Sequence, residues 1–242
     1  MNMLHNFFFN VYPYVCLSVF LMGSLARFDR DQYTWKSDSS QMLRKAGMKW
    51  ASNLFHFGIL FLFFGHTVGL LTPHWVYEGF VSPDVKQKVA IYAGGTAGFF
   101  CFIGLSMLIH RRIFDPRIRL TSHRTDLAIL IILWVQLVLG LITLPFSLSH
   151  ADGTVMLVLS DWAQRIVTFQ PEAAGLVVLD WPYKVHLVLG MTIFLLFPFS
   201  RLVHVWSGFA SIFYLFRPYQ VVRSRRLNVP ADRNVPDPQH HR

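Results

Sequence analysis

The sequence predicts an all-α integral membrane protein: a five-transmembrane-helix bundle with its N-terminus periplasmic and its C-terminus cytoplasmic. Three observations carry this. Of the 242 residues, 53% are hydrophobic and 14% charged, and mean hydropathy is +0.40. That is too apolar for a soluble domain of this length. The apolar residues also fall into five blocks, each long enough to supply the roughly 20 residues that a membrane-crossing helix needs. A helix satisfies its own backbone in lipid, so each block can cross alone. Finally, the positive charges are divided unequally between the segments that join the blocks.

The first block, residues 5–27, lies in "MNMLHNFFFNVYPYVCLSVFLMGSLAR" and has no Lys or Arg before Arg27. A cleaved signal peptide carries its positive charge ahead of the apolar run. Here the charge follows, so the segment is retained as the first span and its N-terminus lies outside. The second block, 48–71, contains "SNLFHFGILFLFFGH"; the third is 89–112, the fourth 126–148 and the fifth 184–209. With this topology, every one of the 22 Lys and Arg except Lys86, Lys88, Arg165 and Lys184 falls on the inner side. The formal charge of +9 therefore marks orientation, and no basic patch argues for nucleic acid.

Between the fourth and fifth blocks, "DGTVMLVLSDWAQRIVTF" sets Asp161, Gln164 and Arg165 among apolar residues. This suits an amphipathic helix at the outer interface better than a sixth span. Residues 1–225 form the membrane domain. Residues 226–242 are a basic, proline-containing tail without apolar periodicity, expected to be flexible. Cys16 and Cys101 sit inside apolar blocks, outside any CxxC or CxxCH, and read as small buried hydrophobes.

Four of the eleven histidines lie inside spans and away from the ends of the first and third: His56 and His66 on the second, His186 and His204 on the fifth. A polar ring in hydrocarbon costs free energy unless something binds it. On continuous helices His56 and His66 are about 15 Å apart along the axis, and His186 and His204 about 27 Å and on one face. The two spans run antiparallel. His56 therefore pairs with His204 toward the inner surface, and His66 with His186 toward the outer one. Facing imidazoles suit the axial positions of a six-coordinate haem, which carries electrons without binding substrate. The spacings are unequal, and Pro198 offers a place for the fifth span to kink. Gly58, Gly65, Gly69 and Gly190 either leave room for a flat macrocycle or mark close helix packing. Arg111, Arg112 and Arg201 are candidate partners for haem propionates at the inner face. The competing reading of the histidines is a haem-free transporter, against which no Asp or Glu lies deep in spans two to five to form a relay.

The segments "GMKWASNLFHFGI", "GHTVGLLTPHWVYE", "DVKQKVA" and "HLVLGMTIFLLFPFSRLVHVWS", with the N-terminal stretch from "FFFNVYPYV" through "SSQML", resemble the gamma subunit of respiratory nitrate reductase, the membrane cytochrome b. The likeness runs to about residue 225 and includes both histidine pairs at their spacing. It implies two haem b groups, the distal held by His66 and His186 and the proximal by His56 and His204. It implies a quinol substrate, menaquinol or ubiquinol, oxidised near the outer surface with release of its protons there. Lys86 would belong to the quinol site, beside which Gly65 and Gly69 leave space. Electrons would pass from the distal to the proximal haem, then to an iron–sulfur beta subunit and a molybdenum alpha subunit that reduces nitrate. The implied location is the bacterial cytoplasmic (inner) membrane. The runner-up is a cytochrome of the same type serving another molybdenum or iron–sulfur oxidoreductase. The chain has no phosphate-binding glycine loop and no cysteine cluster of its own, so nitrate chemistry is expected on a partner.

Overall fold

A computed structural model describes residues 2–36, 43, 47–150 and 152–215. The tail expected after residue 225 lies outside the described residues. All regular structure among them is helical. Five helices are long and apolar enough to cross a membrane: Met3–Arg30, Met48–Leu71, Pro83–Phe114, Arg124–Ser149 and Trp181–Phe199. They are called the first to fifth spans below. Two compact units are distinguished, dividing after Val205; the second is helical through Leu215.

Within the first unit, the second span packs on the third, the third on the fourth, the fourth on the fifth and the fifth on the first. Glycines set the closest of these approaches. A Cβ on Gly58 would lie 2.6 Å from the Cβ of Cys101 and 2.9 Å from the Ala97 carbonyl. Gly104 presses on the backbone of Phe55 in the same way. Gly58 is thus a helix-packing residue, and it does not make room for a macrocycle. Cys16 and Cys101 are buried free thiols.

After one α-helical turn, Met3–Asn6, the first span continues in a π-helical stretch, Phe7–Val11. Its irregular hydrogen bonding leaves carbonyls for other partners, and Trp162 donates its indole N–H to Phe9 O at 2.9 Å. Trp162 belongs to a separate helix, Thr154–Val167, in the region where the sequence suggests an amphipathic one. This surface helix buries Val155, Ser160, Trp162, Ala163 and Ile166 and leaves Asp161 exposed. Gln164 works on the packed side: its amide donates to the carbonyls of Leu70 and Thr72, at 3.0 and 3.2 Å, where the second span ends.

The fifth span departs most from expectation. It is α-helical over Trp181–Leu196, then passes through two short 3₁₀ turns, Phe197–Phe199 and Arg201–Val203, and a new helix starts at His204. Between the turns Ser200 is extended, with φ −121° and ψ 177°. Pro198 cannot donate a helical hydrogen bond and its ring clashes with the preceding turn, so the chain breaks where a kink was expected. The first span is shaped to receive the break. Arg27 donates to the carbonyls of Pro198 and Ser200, at 2.7 and 2.8 Å. Gly23 lies against the proline ring, where a Cβ would come within 2.8 Å of Cγ. Ser200 caps the following turn by accepting from the Leu202 N–H at 3.2 Å.

Candidate cofactor site: two histidine pairs

The break changes how the histidine pairs must be understood. His186 and His204 stand on separate helices, so the one-face argument for a continuous fifth span does not apply. Each is placed by its own surroundings.

The pair nearer the surface helix is closed. The rings of His66 and His186 have centroids 6.3 Å apart and planes 38° from parallel. Two imidazoles bonded to opposite sides of one metal ion, each at about 2.0–2.1 Å, hold their ring centres about 6 Å apart. In the second pair, His56 lies within electrostatic reach of His204. The structure thus brings His66 and His186 to ligand spacing.

All four rings share one chemical feature. His56 Nδ1 lies 2.7 Å from Ser52 O, and His66 Nδ1 lies 2.7 Å from Leu62 O. His186 Nδ1 lies 3.1 Å from Gln136 O, and His204 Nδ1 lies 2.6 Å from Arg201 O. A carbonyl only accepts, so Nδ1 carries the proton in each ring and the lone pair is left on Nε2. A metal-binding imidazole needs this arrangement, with the far N–H anchored and the ligating nitrogen bare. His56 and His66 are exposed within the protein, on a span whose only buried residues are Ala51 and Gly58. They therefore face away from the packed side of that span. A Cβ on Gly65 or Gly69 would meet nothing within 4 Å, so a planar group could lie against that wall. Gly190 is different: a Cβ there would come within 3.1 Å of the Gln136 amide nitrogen. On donor chemistry and spacing, the residues present fit a bis-imidazole haem. Among the described residues no group of three or more His, Cys, Asp and Glu forms another metal site.

The remaining candidates fall at the two ends. Lys86, near the start of the third span, holds its Nζ 3.8 Å from the centre of the Tyr77 ring. That nitrogen is buried without a hydrogen-bond partner. Beside it His74 Nδ1 lies 2.8 Å from a Glu78 carboxylate oxygen. At the opposite, arginine-rich end, Arg112 is buried and donates to Asp126 at 3.0 Å and to Ser122 at 3.2 Å. Its position is explained by that internal ion pair. Arg201 lies 3.9 Å from the same carboxylate. Arg111 lines a cavity of about 570 Å³ with Ala51, Ser106, His110 and Phe114.

Sequence reasoning missed Arg27, Tyr77, Gln136 and Gly140. A Cβ on Gly140 would stand 3.0 Å from His186 Cε1. Gln136 could have been found: it is the lone amide within residues 126–148, and an uncompensated polar group at that depth signals function.

Fold and site together define a class: a multi-span membrane subunit that carries imidazole pairs between its helices. The family follows from comparison. The model of the nitrate reductase gamma subunit family matches residues 5–225, and the chain belongs to that family. It is 52% identical over 226 residues to the respiratory nitrate reductase 1 gamma chain of Escherichia coli K12, covering 93% of this chain and all of that one. It is 51% identical over 224 residues to the respiratory nitrate reductase 2 gamma chain of the same organism, covering 92% of this chain and 98% of that one. The nitrate reductase gamma chain of Bacillus subtilis is 36% identical over 216 residues, covering 89% and 96%.

Proposed function

We propose that the chain is the dihaem b, quinol-oxidising membrane anchor of a respiratory nitrate reductase in a bacterial cytoplasmic membrane. The observation that carries this reading is the His66–His186 pair: two imidazoles 6.3 Å apart on different spans, each with its Nδ1 proton held by a backbone carbonyl, which leaves the Nε2 lone pair as the ligating one. His66 and His186 hold the distal haem, and His56 and His204 the proximal one. When bound, the haems supply the one-electron redox capacity that the side chains lack.

The rest is the work of the chain. Anchored Nδ1 protons fix ring orientation before any group binds, which lowers the ordering cost of ligation. Lys86 carries a cation held over Tyr77, so it can donate to a quinol oxygen and favour its deprotonation. Gly65 and Gly69 leave the wall beside His66 flat enough for a quinol ring. Quinol gives up two electrons and two protons as it becomes quinone. The protons leave at the Lys86 end and the electrons move toward the arginine-rich end. There an iron–sulfur beta subunit takes them on to a molybdenum alpha subunit for nitrate reduction. Arg111, Arg112 and Arg201 stand at that end as the propionate partners of this reading, with Arg112 and Arg201 both close to Asp126.

The test is a reduced-minus-oxidised absorption spectrum of the chain purified from membranes, followed by a redox titration. Two b-type components are expected. Changing His66 or His186 to Ala should remove the distal component and leave the proximal one. Absence of any b-type signal in the unmodified chain would overturn the reading, and loss of the proximal component alone would overturn the pairing.

A further inference from the structure

His186 is anchored unlike the other three histidines. His56, His66 and His204 donate Nδ1–H to a carbonyl only three or four residues back in sequence. His186 donates to the carbonyl of Gln136, on a different span, at 3.1 Å. We propose that Gln136 and Gly140 of the fourth span form a seat that positions the His186 ring as an axial ligand and tunes the distal haem. This rests on the assignment of His186 as a haem ligand made above.

Three contacts build the seat. The Gln136 carbonyl takes the Nδ1 proton. One turn further on, Gly140 supplies the floor, where a Cβ would stand 3.0 Å from Cε1, 3.6 Å from Nδ1 and 3.7 Å from Nε2 of the ring. Residues 136 and 140 are helical hydrogen-bond partners, so carbonyl and floor lie on one rung of the helix. The Gln136 amide then closes the seat: Nε2 donates to the backbone carbonyl of His186 at 3.1 Å and lies 3.4 Å from the ring's own Nε2. Gln136 therefore contacts both the main chain and the ring of the ligand. Its Oε1 is buried without a partner, an arrangement that costs free energy and persists because the amide N–H is committed elsewhere.

The chemical consequence follows from the Nδ1 bond. A hydrogen bond there raises the basicity of the ligating nitrogen, which favours the oxidised metal. Gln136 and Gly140 touch only the imidazole, so they are positioning residues. A Cβ at position 140 must push the ring a few tenths of an ångström away from the fourth span. This lengthens the bond to Gln136 and turns the ring plane.

The experiment uses the full chain in its native membranes with its partner subunits. Gly140→Ala and Gln136→Met are compared with the unmodified protein by low-temperature electron paramagnetic resonance and by redox titration, and haem content is measured in each. The proximal signal serves as internal reference. In Gly140→Ala the distal midpoint should become more positive and its low-field resonance should move, with the proximal signal fixed. In Gln136→Met the distal resonance should also move alone. Where Gly140→Ala does not accumulate, Gln136→Met decides. Two haems at full content with the distal signal unmoved in the variants would overturn the seat while leaving the ligand assignment standing. Equal shifts of both haems would overturn it as well, since they report general repacking. An unmodified protein without b-type haem would remove the ligand assignment and the seat together.

Discussion

The two histidine pairs are made by different means. His66 and His186 stand on unbroken stretches of helix, Met48–Leu71 and Trp181–Leu196. Their spacing is set by how those helices are held, partly by the surface helix that ties down the end of the second span through Gln164. His56 stands on the same second span, but His204 opens a new helix after a break. That pair depends on a chain interruption that the first span stabilises through Arg27 and Gly23. Ten residues must match eighteen between the paired histidines of the two spans. A straight helix cannot do this, and the break absorbs the difference. One pair is thus a property of helix packing, and the other a property of a supported irregularity.

The largest expected effect separates the pairs outright. His204→Ala should remove the proximal b-type component and leave the distal one, checked by redox-resolved difference spectra. Quinol should still reduce the distal haem in a single turnover, while steady-state electron delivery to a partner falls to background. Loss of both components would mean that the second pair supports the first, contrary to their separate construction.

Arg27→Ala tests the break. It leaves two carbonyls at Pro198 and Ser200 without the guanidinium that now serves them. Each hydrogen bond to a charged group is worth about 1.5–3 kcal/mol, so the local loss should be roughly 3 kcal/mol. The proximal component should disappear at a lower temperature than the distal one in a thermal ramp followed by difference spectra. Simultaneous loss would show that the break is stable without Arg27.

Much of this architecture was legible in the sequence, for identifiable reasons. The second span was expected at 48–71 and is Met48–Leu71, because a long apolar run between a glycine and a Thr-Pro has few competing solutions. The pairing of His66 with His186 followed from antiparallel spans. What was not legible depends on contacts between distant residues. Arg27 read as an ordinary basic flank, and nothing local distinguishes a flank from a clamp. The expected kink at Pro198 became two 3₁₀ turns because a receptive surface stood 171 residues away at Arg27. Gly58 and Gly65 looked alike in sequence; only their neighbours separate packing from an open wall.

A smaller effect concerns the end of the molecule near Lys86. Tyr77→Leu removes the ring under Nζ, and a cation–π contact of this kind is worth about 0.5–2 kcal/mol. The KM for quinol should rise roughly fivefold, a change of about 1 kcal/mol, with kcat nearly unchanged. Tyr77→Phe keeps the ring face and should restore most of the affinity. Distal and proximal spectra should stay as they are. A spectral change at the distal haem would show that this end is mechanically coupled to the His66 pair.

The smallest expected effect probes the remaining asymmetry between the two histidines on one span. His56 and His66 both donate to the carbonyl four residues back, but Ser52 adds a hydroxyl 3.1 Å from His56 Nδ1. That hydroxyl is geometrically secondary to the carbonyl bond at 2.7 Å, so it competes for a proton already placed. Ser52→Ala should therefore cost at most about 0.5–1 kcal/mol, the range of a neutral hydrogen bond. The proximal midpoint should shift by a correspondingly small amount while the distal one stays fixed. A large proximal shift would show that the hydroxyl, and not the carbonyl, fixes the His56 ring. In that case the proximal ligand, like the distal one, would be tuned by a side chain added to the common backbone anchor.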